Sequence, residues 1–285
     1  MTKRHPVRSW LLGAWSVAAL IYLFIPILVV ILYSFNDPEG RFNLTWQGFT
    51  LDHWLNPFQV EGLQEALTNS LLIGALATTA AVTLGTFMAL ALVRYRFFGR
   101  GPANFFIFLP LATPEVVLGA ALLGLFITWG LGTGFFTIFI AHTMFCLSYV
   151  VVTIRARLQG LDAHLEEAAM DLGANEWTAF RKVTLPIIAP GITAAALLSF
   201  ALSVDDFVIT NFTAGQTSTF PLFIWGAARQ GVPAEVNVLA TMLLLGVLVL
   251  MALNVMYQRR RAKQDATATA ALGPARPIAS PGLAQ

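Results

Sequence analysis

Long apolar runs decide what this chain can become. Six segments, roughly 11–35, 66–93, 103–129, 134–157, 187–212 and 236–258, are each long and apolar enough to cross a bilayer core as a helix. Inside that core every backbone polar group must be satisfied within the protein, and a single long segment does this as a helix. The expected fold is therefore all-α and integral to the membrane, with six transmembrane helices. Only 11% of the 285 residues are charged and 57% are hydrophobic, whereas soluble domains carry about 25% charged residues. Lys3, Arg4 and Arg8 precede the first run, as in a signal peptide. That run is too long for such a signal and no A-x-A-like site follows it, so it reads as an uncleaved first helix. Residues 11–258 then form one transmembrane domain, after a cytoplasmic stretch 1–10 and before a disordered tail 259–285. "TFPLFIWGAA", 219–228, is too short to span and reads as a re-entrant or interfacial helix. Cys146 is the single cysteine, inside an apolar run, and reads as a packing residue.

Orientation follows from the basic residues. With the N-terminus inside, all of the 17 Lys and Arg except Arg41 and Arg229 fall on the inner side. Both termini are therefore expected in the cytoplasm. The outer loops hold Asp37, Glu39, Asp52, Glu61, Glu65 and Glu235, an acidic outer face.

One charged island interrupts the inner side, "EEAAMDLGANEWTAFRKVTLP", 166–186. Helix formers on either side of Gly173 predict a helix, a glycine turn and a second short helix, with Pro186 and Pro190 opening the fifth span. From the residues alone the island is either a solvated loop or a docking surface. Its pattern is more particular. Glu167-Ala168-Ala169, then Gly173, then Val183, Leu185 and Pro186 resemble the EAA signature of ABC-importer permeases, with Val183 where Ile is commoner. The resemblance implies that the loop 158–186 couples the chain to a separate ATPase through Glu167, Ala168, Ala169, Gly173, Leu185 and Pro186. The chain has no P-loop of its own, because none of Lys3, Lys182 and Lys263 follows a glycine. No cofactor is expected here; ATP and Mg would be bound by the partner ATPase.

The resemblance extends over most of residues 20–250. "YSFN", "TWQGFT", "RYRFFGRG", "LSVDDFVITNF" and "PAEVNVLATMLLL" are similar to the spermidine/putrescine importer permeases, and more closely to the second of their two permease subunits. This implies the type I ABC importer permease fold. The implied partners are a second homologous permease, two copies of an ABC ATPase subunit and an external substrate-binding protein. Membrane lipid is the expected surrounding, and no nucleic acid is expected as a partner.

Three acids lie inside apolar runs: Glu115, Asp205 and Asp206. Each costs roughly 2.5–3.5 kcal/mol at a helix centre, so each needs a water-filled path or a partner. Both readings stand on the residues alone. Ser199, Ser203, Asp206, Thr210 and Thr213 recur at helical spacing, one polar stripe that Asp205 flanks. Asp206 is therefore expected to be at least as important as Asp205, near the outer mouth. Glu115 follows Pro110 and Pro114, which bend a helix. The resemblance implies a substrate path through Trp46, Glu115, Ser203, Asp205 and Asp206; Trp46 reads equally as an interfacial anchor. Spaced carboxylates suit a linear polycation better than an anion. Ferric iron, thiamine or an aminophosphonate are alternative cargoes, and a proton-coupled carrier would use buried acids without needing the docking loop. Adjacent Asp205 and Asp206 point about 100° apart, which disfavours an aspartyl protease. The histidines show no metal-ligand spacing and are assigned no role.

Overall fold

A computed structural model describes residues 6–40, 42–160, 164–229 and 231–271. Arg41, residues 161–163 and the 272–285 part of the expected tail lie outside the described residues. The chain divides into two compact units, the first ending at Val238 and the second beginning at Leu239.

In the first unit α1 spans Pro6–Tyr33, α2 Asp52–Leu55, α3 Leu63–Arg94, α4 Arg100–Ala112, α5 Glu115–Thr128 and α6 Phe135–Leu158. Then follow α7 His164–Asp171, α8 Glu176–Ala179, a π-helical turn Phe180–Thr184, α9 Leu185–Asp205, α10 Val208–Thr213 and α11 Phe220–Ala228. The last helix, α12, spans Ala234–Ala271 and carries the chain into the second unit. It is apolar over Ala234–Tyr257 and continues past 258 as a helix, where the sequence predicts a disordered tail. Good helix formers such as Ala262, Lys263, Gln264 and Ala266 account for the extension.

Among the described residues five helices are long and apolar enough to cross a membrane, and taking one bent pair as a single span makes six. The bent pair corrects the third predicted span. Residues 103–129 are not one helix, because α4 and α5 meet at 114°. Thr113 and Pro114 are both extended there, with ψ of 131° and 135°. A residue before proline is pushed out of the helical region, and Pro114 has no N–H to continue the ladder.

The fifth predicted span is corrected at both ends. It begins at Glu176 rather than at the prolines, because the π turn carries the helix through Pro186. The N–H of Leu185 reaches back to the Phe180 carbonyl, one residue further than in an α-helix. At the other end the helix stops at Asp206, whose backbone is extended, and restarts as α10.

The core is made by α3, α6 and α9. α3 buries Ser70, Gly74, Ala77, Thr78, Ala81 and Gly85 along one face. Small residues at this spacing let helices approach closely, which replaces the hydrophobic drive that is missing in lipid. A Cβ on Gly74 would sit 2.9 Å from Val204 of α9, and one on Gly85 would sit 2.6 Å from Val150 of α6. By contrast, none of the apolar window of α1 is buried within this chain.

Two ends of the bundle differ. One carries the loop helices α7 and α8. The other carries the Gly130–Gly134 hairpin and the segment before α3. The hairpin takes a hydrogen bond from Gly134 N–H to the Thr213 carbonyl, 3.1 Å, which places the end of α10 against it. The segment is knotted around Asn36, whose amide donates to Asn43 Oδ1 at 2.6 Å and to the Thr45 carbonyl at 2.7 Å.

Candidate substrate path and coupling loop

The two broken spans meet. α10 packs on α5, and a Cβ on Gly119 would lie 2.6 Å from Phe212 and 3.4 Å from the Ile209 backbone. Glu115 begins α5 one turn before Gly119, and Asp205 ends α9 just before the second break. Both carboxylates are exposed. A chain that bends twice in neighbouring spans, with an exposed acid at each bend, is suited to border a polar passage.

Asp206 has the opposite environment. Its carboxylate is buried and accepts from Thr210 N–H and Thr210 Oγ1, both at 2.8 Å, so it caps the start of α10. His142 of α6 completes the group. Its Nε2 lies 3.2 Å from Asp206 Oδ2 and 2.9 Å from Thr210 Oγ1, while Nδ1 lies 2.7 Å from Ser203 Oγ. With a carboxylate at 206, the consistent assignment puts the proton on Nε2, and the Ser203 hydroxyl donates to Nδ1. One turn further along, Cys146 Sγ faces the Ser199 carbonyl at 3.5 Å. The predicted stripe of Ser199, Ser203, Asp206, Thr210 and Thr213 is thus entirely buried, a seam between helices. Asp205 lies exposed, outside this seam.

Sequence reasoning missed His142, which is 2% exposed. An ionisable residue in an apolar span was the available signal. Trp46 lies apart, in the Asn36 knot, half exposed and edge-on to Tyr33 with ring centroids 6.4 Å apart.

The charged loop has the predicted helix, glycine turn and helix. α7 ends at Asp171, Gly173 follows with φ +89°, and the N–H of Ala174 closes on the Ala169 carbonyl at 3.0 Å. Asn175 then caps α8 by accepting from Thr178 N–H at 2.8 Å. Glu167 is exposed and 3.1 Å from His164; Ala168 and Pro186 are exposed, and Ala169 and Leu185 are partly covered. Leu172 and Trp177 are 91% and 66% exposed beside them. Large apolar side chains flanking the glycine turn make the loop an unlidded surface, unlike a solvated connection.

Arg94, at the last turn of α3, is a second residue to which the sequence assigned no role at a site. It forms an ion pair with Glu166 of α7 and donates to Thr184 Oγ1 at 2.9 Å.

Comparison with known proteins agrees with this architecture. The family model described as a binding-protein-dependent transport system inner membrane component matches residues 81–263. The spermidine/putrescine transport system permease protein PotC of Haemophilus influenzae is 38% identical over 254 residues, covering 89% of this chain and 98% of that protein. The putrescine transport system permease protein PotI of Escherichia coli K12 is 39% identical over 242 residues, covering 81% and 85%. A bacterial ABC transporter that imports alginate shares the fold, with a TM-score of 0.66 at 18% identity, covering 89% of this chain and 96% of that one. The chain therefore belongs to the binding-protein-dependent transport system inner membrane components, the multi-pass permease subunits of ABC importers.

Proposed function

We propose that this chain is the permease subunit of an ATP-driven importer of polyamines. The reading is carried by one observation: Glu115 and Asp205 stand exposed at the breaks of two spans that pack together. A linear polycation needs carboxylates spaced along its route, and the relatives named above transport spermidine and putrescine. The path runs past Asp205 and Glu115, with Trp46 at its outer entrance. Ser203 and Asp206 hold the walls of that path in place. The loop end faces the cytoplasm, as do both termini, in keeping with the distribution of Lys and Arg.

The loop surface of Glu167, Ala168, Ala169, Gly173, Leu185 and Pro186 docks on an ATPase subunit. Two such subunits bind ATP and Mg, a second homologous permease completes the pore, and an external binding protein delivers the cargo. The test is uptake of labelled spermidine and putrescine by the assembled complex, normalised to membrane abundance, in Asp205→Asn and Glu115→Gln. Import slowed in both variants at unchanged abundance supports the path. Unaltered import per molecule in the double variant removes the polyamine assignment.

A further inference from the structure

Arg94 has no part in the docking surface described above, yet it joins three elements. It belongs to α3, pairs with Glu166 of α7 and bonds to Thr184 in the π turn that leads into α9. Thr184 is fully buried, and the Arg94 and Glu166 side chains are largely covered. Coverage strengthens such a pair, because less water screens it. The α7 helix is therefore fastened to the bundle at this point.

The opposite end of the same two long helices is also tightly joined. A Cβ on Gly74 of α3 would meet Val204 at 2.9 Å and Phe200 at 3.2 Å. About 20 residues separate Gly74 from Arg94 and about 20 separate Thr184 from Val204, so each contact is ~30 Å from the other along both helices. Equal spacing means that the antiparallel pair keeps register from end to end. Packed helices of this kind shift as units, since close-packed interfaces do not deform continuously. Val204 is the residue before Asp205.

We infer that Arg94 is the clamp by which movement of the coupling loop is delivered, through α3 and α9 as one strut, to the carboxylate at Asp205. This rests on the docking role of the loop proposed above. Arg94 is a positioning residue: it touches neither ATP nor cargo. Without the clamp the loop still docks, because its docking residues are elsewhere, but α7 can move while the far end of α9 stays still.

The test uses the whole complex with its ATPase, carrying Cys146→Ser and Asp205→Cys, and measures the rate at which the new thiol reacts with a soluble maleimide. The rate is taken without nucleotide and with ATP, Mg and vanadate. Nucleotide is expected to change the rate in the parent complex. In Arg94→Gln the ATPase should stay bound and hydrolyse ATP, while the nucleotide effect on the thiol shrinks about three- to tenfold. Arg94→Glu should lose it further, and Arg94→Glu combined with Glu166→Arg should recover it, with the ATPase bound and hydrolysing ATP throughout, whereas a purely structural role would lose binding or hydrolysis together with the nucleotide effect. A parent whose thiol ignores nucleotide overturns the strut. So does an unchanged nucleotide effect in Arg94→Gln, a charge swap no better than Arg94→Glu alone, or loss of the ATPase from Arg94→Gln. The readout needs no cargo, so it stands apart from the polyamine assignment. Gly173→Asp tests docking separately: an ATPase that stays bound and functional in that variant would remove the docking role on which the clamp rests, whereas the Arg94 variants test the clamp with docking intact.

Discussion

Asp205 and Asp206 are sequence neighbours with opposite surroundings, and their substitutions should separate cleanly. Asp205 is exposed beside a helix break, so Asp205→Asn should leave membrane abundance unchanged and slow polyamine import about tenfold, equivalent to ~1.4 kcal/mol. Asp206 is buried against His142 and caps α10, so Asp206→Asn weakens a helix joint. Orphaning a buried partner costs roughly 1–3 kcal/mol. Asp206→Asn and His142→Ala should therefore both lower the Tm of the solubilised protein and its abundance. They should do so to similar extents, and the double variant should cost less than the two combined, because both remove one network. Thermal melts of the four proteins check this; additive losses would mean that His142 and Asp206 act independently. Adjacent positions on a helix point about 100° apart. A wheel shows that much, but not that α6 brings a histidine to one of the two faces.

At the scale of elements, the two breaks and the loop are where glycine and proline matter most. Gly119 lies under Phe212, and Gly119→Val would force α5 and α10 apart. Overpacking of this kind costs roughly 1–3 kcal/mol, and the expected result is reduced abundance with poor import by what remains. Gly173 has open space where a Cβ would be, but its φ of +89° makes any side chain strained by roughly 1–2 kcal/mol. Gly173→Asp should insert and accumulate normally, because the turn lies outside the core, and should lose transport together with retention of the ATPase on purification. The glycine turn and the Thr113–Pro114 break were legible because each follows from local backbone rules. The π turn was not. Pro186 read as a helix start, whereas the chain absorbs it by widening one turn and lengthening the span by a further two turns toward the loop.

For the whole molecule, basic residues predict an orientation and also join elements. Arg155 donates to Asn104 of α4 at 2.6 Å, and Arg94 holds α7, so charges at one end of the bundle also join its elements. The predicted orientation is tested with Gln264→Cys in a Cys146→Ser background, which removes the single cysteine of the sequence. Position 264 should resist an impermeant thiol reagent in intact cells and react after lysis. Labelling in intact cells would invert the topology. α1 has none of its apolar window buried by the rest of this chain, so most of its circumference is left for lipid or another subunit.

The apolar spans, their helical character and the glycine turn of the charged loop were determined by the sequence itself. Each depends on a local property: a length of apolar chain that a bilayer demands, or a glycine that a turn requires. The roles of Ser203, Asp205, Asp206, His142 and Arg94 depend on something else. Which of two acids is buried, which histidine it meets and which loop an arginine holds are set by contacts between residues far apart in the chain. His142 and Asp206 are 64 positions apart and Arg94 and Thr184 are 90 apart. No periodicity within one helix encodes what the neighbouring helix presents to it, so only tertiary packing could decide that Asp206 is a joint and Asp205 a surface.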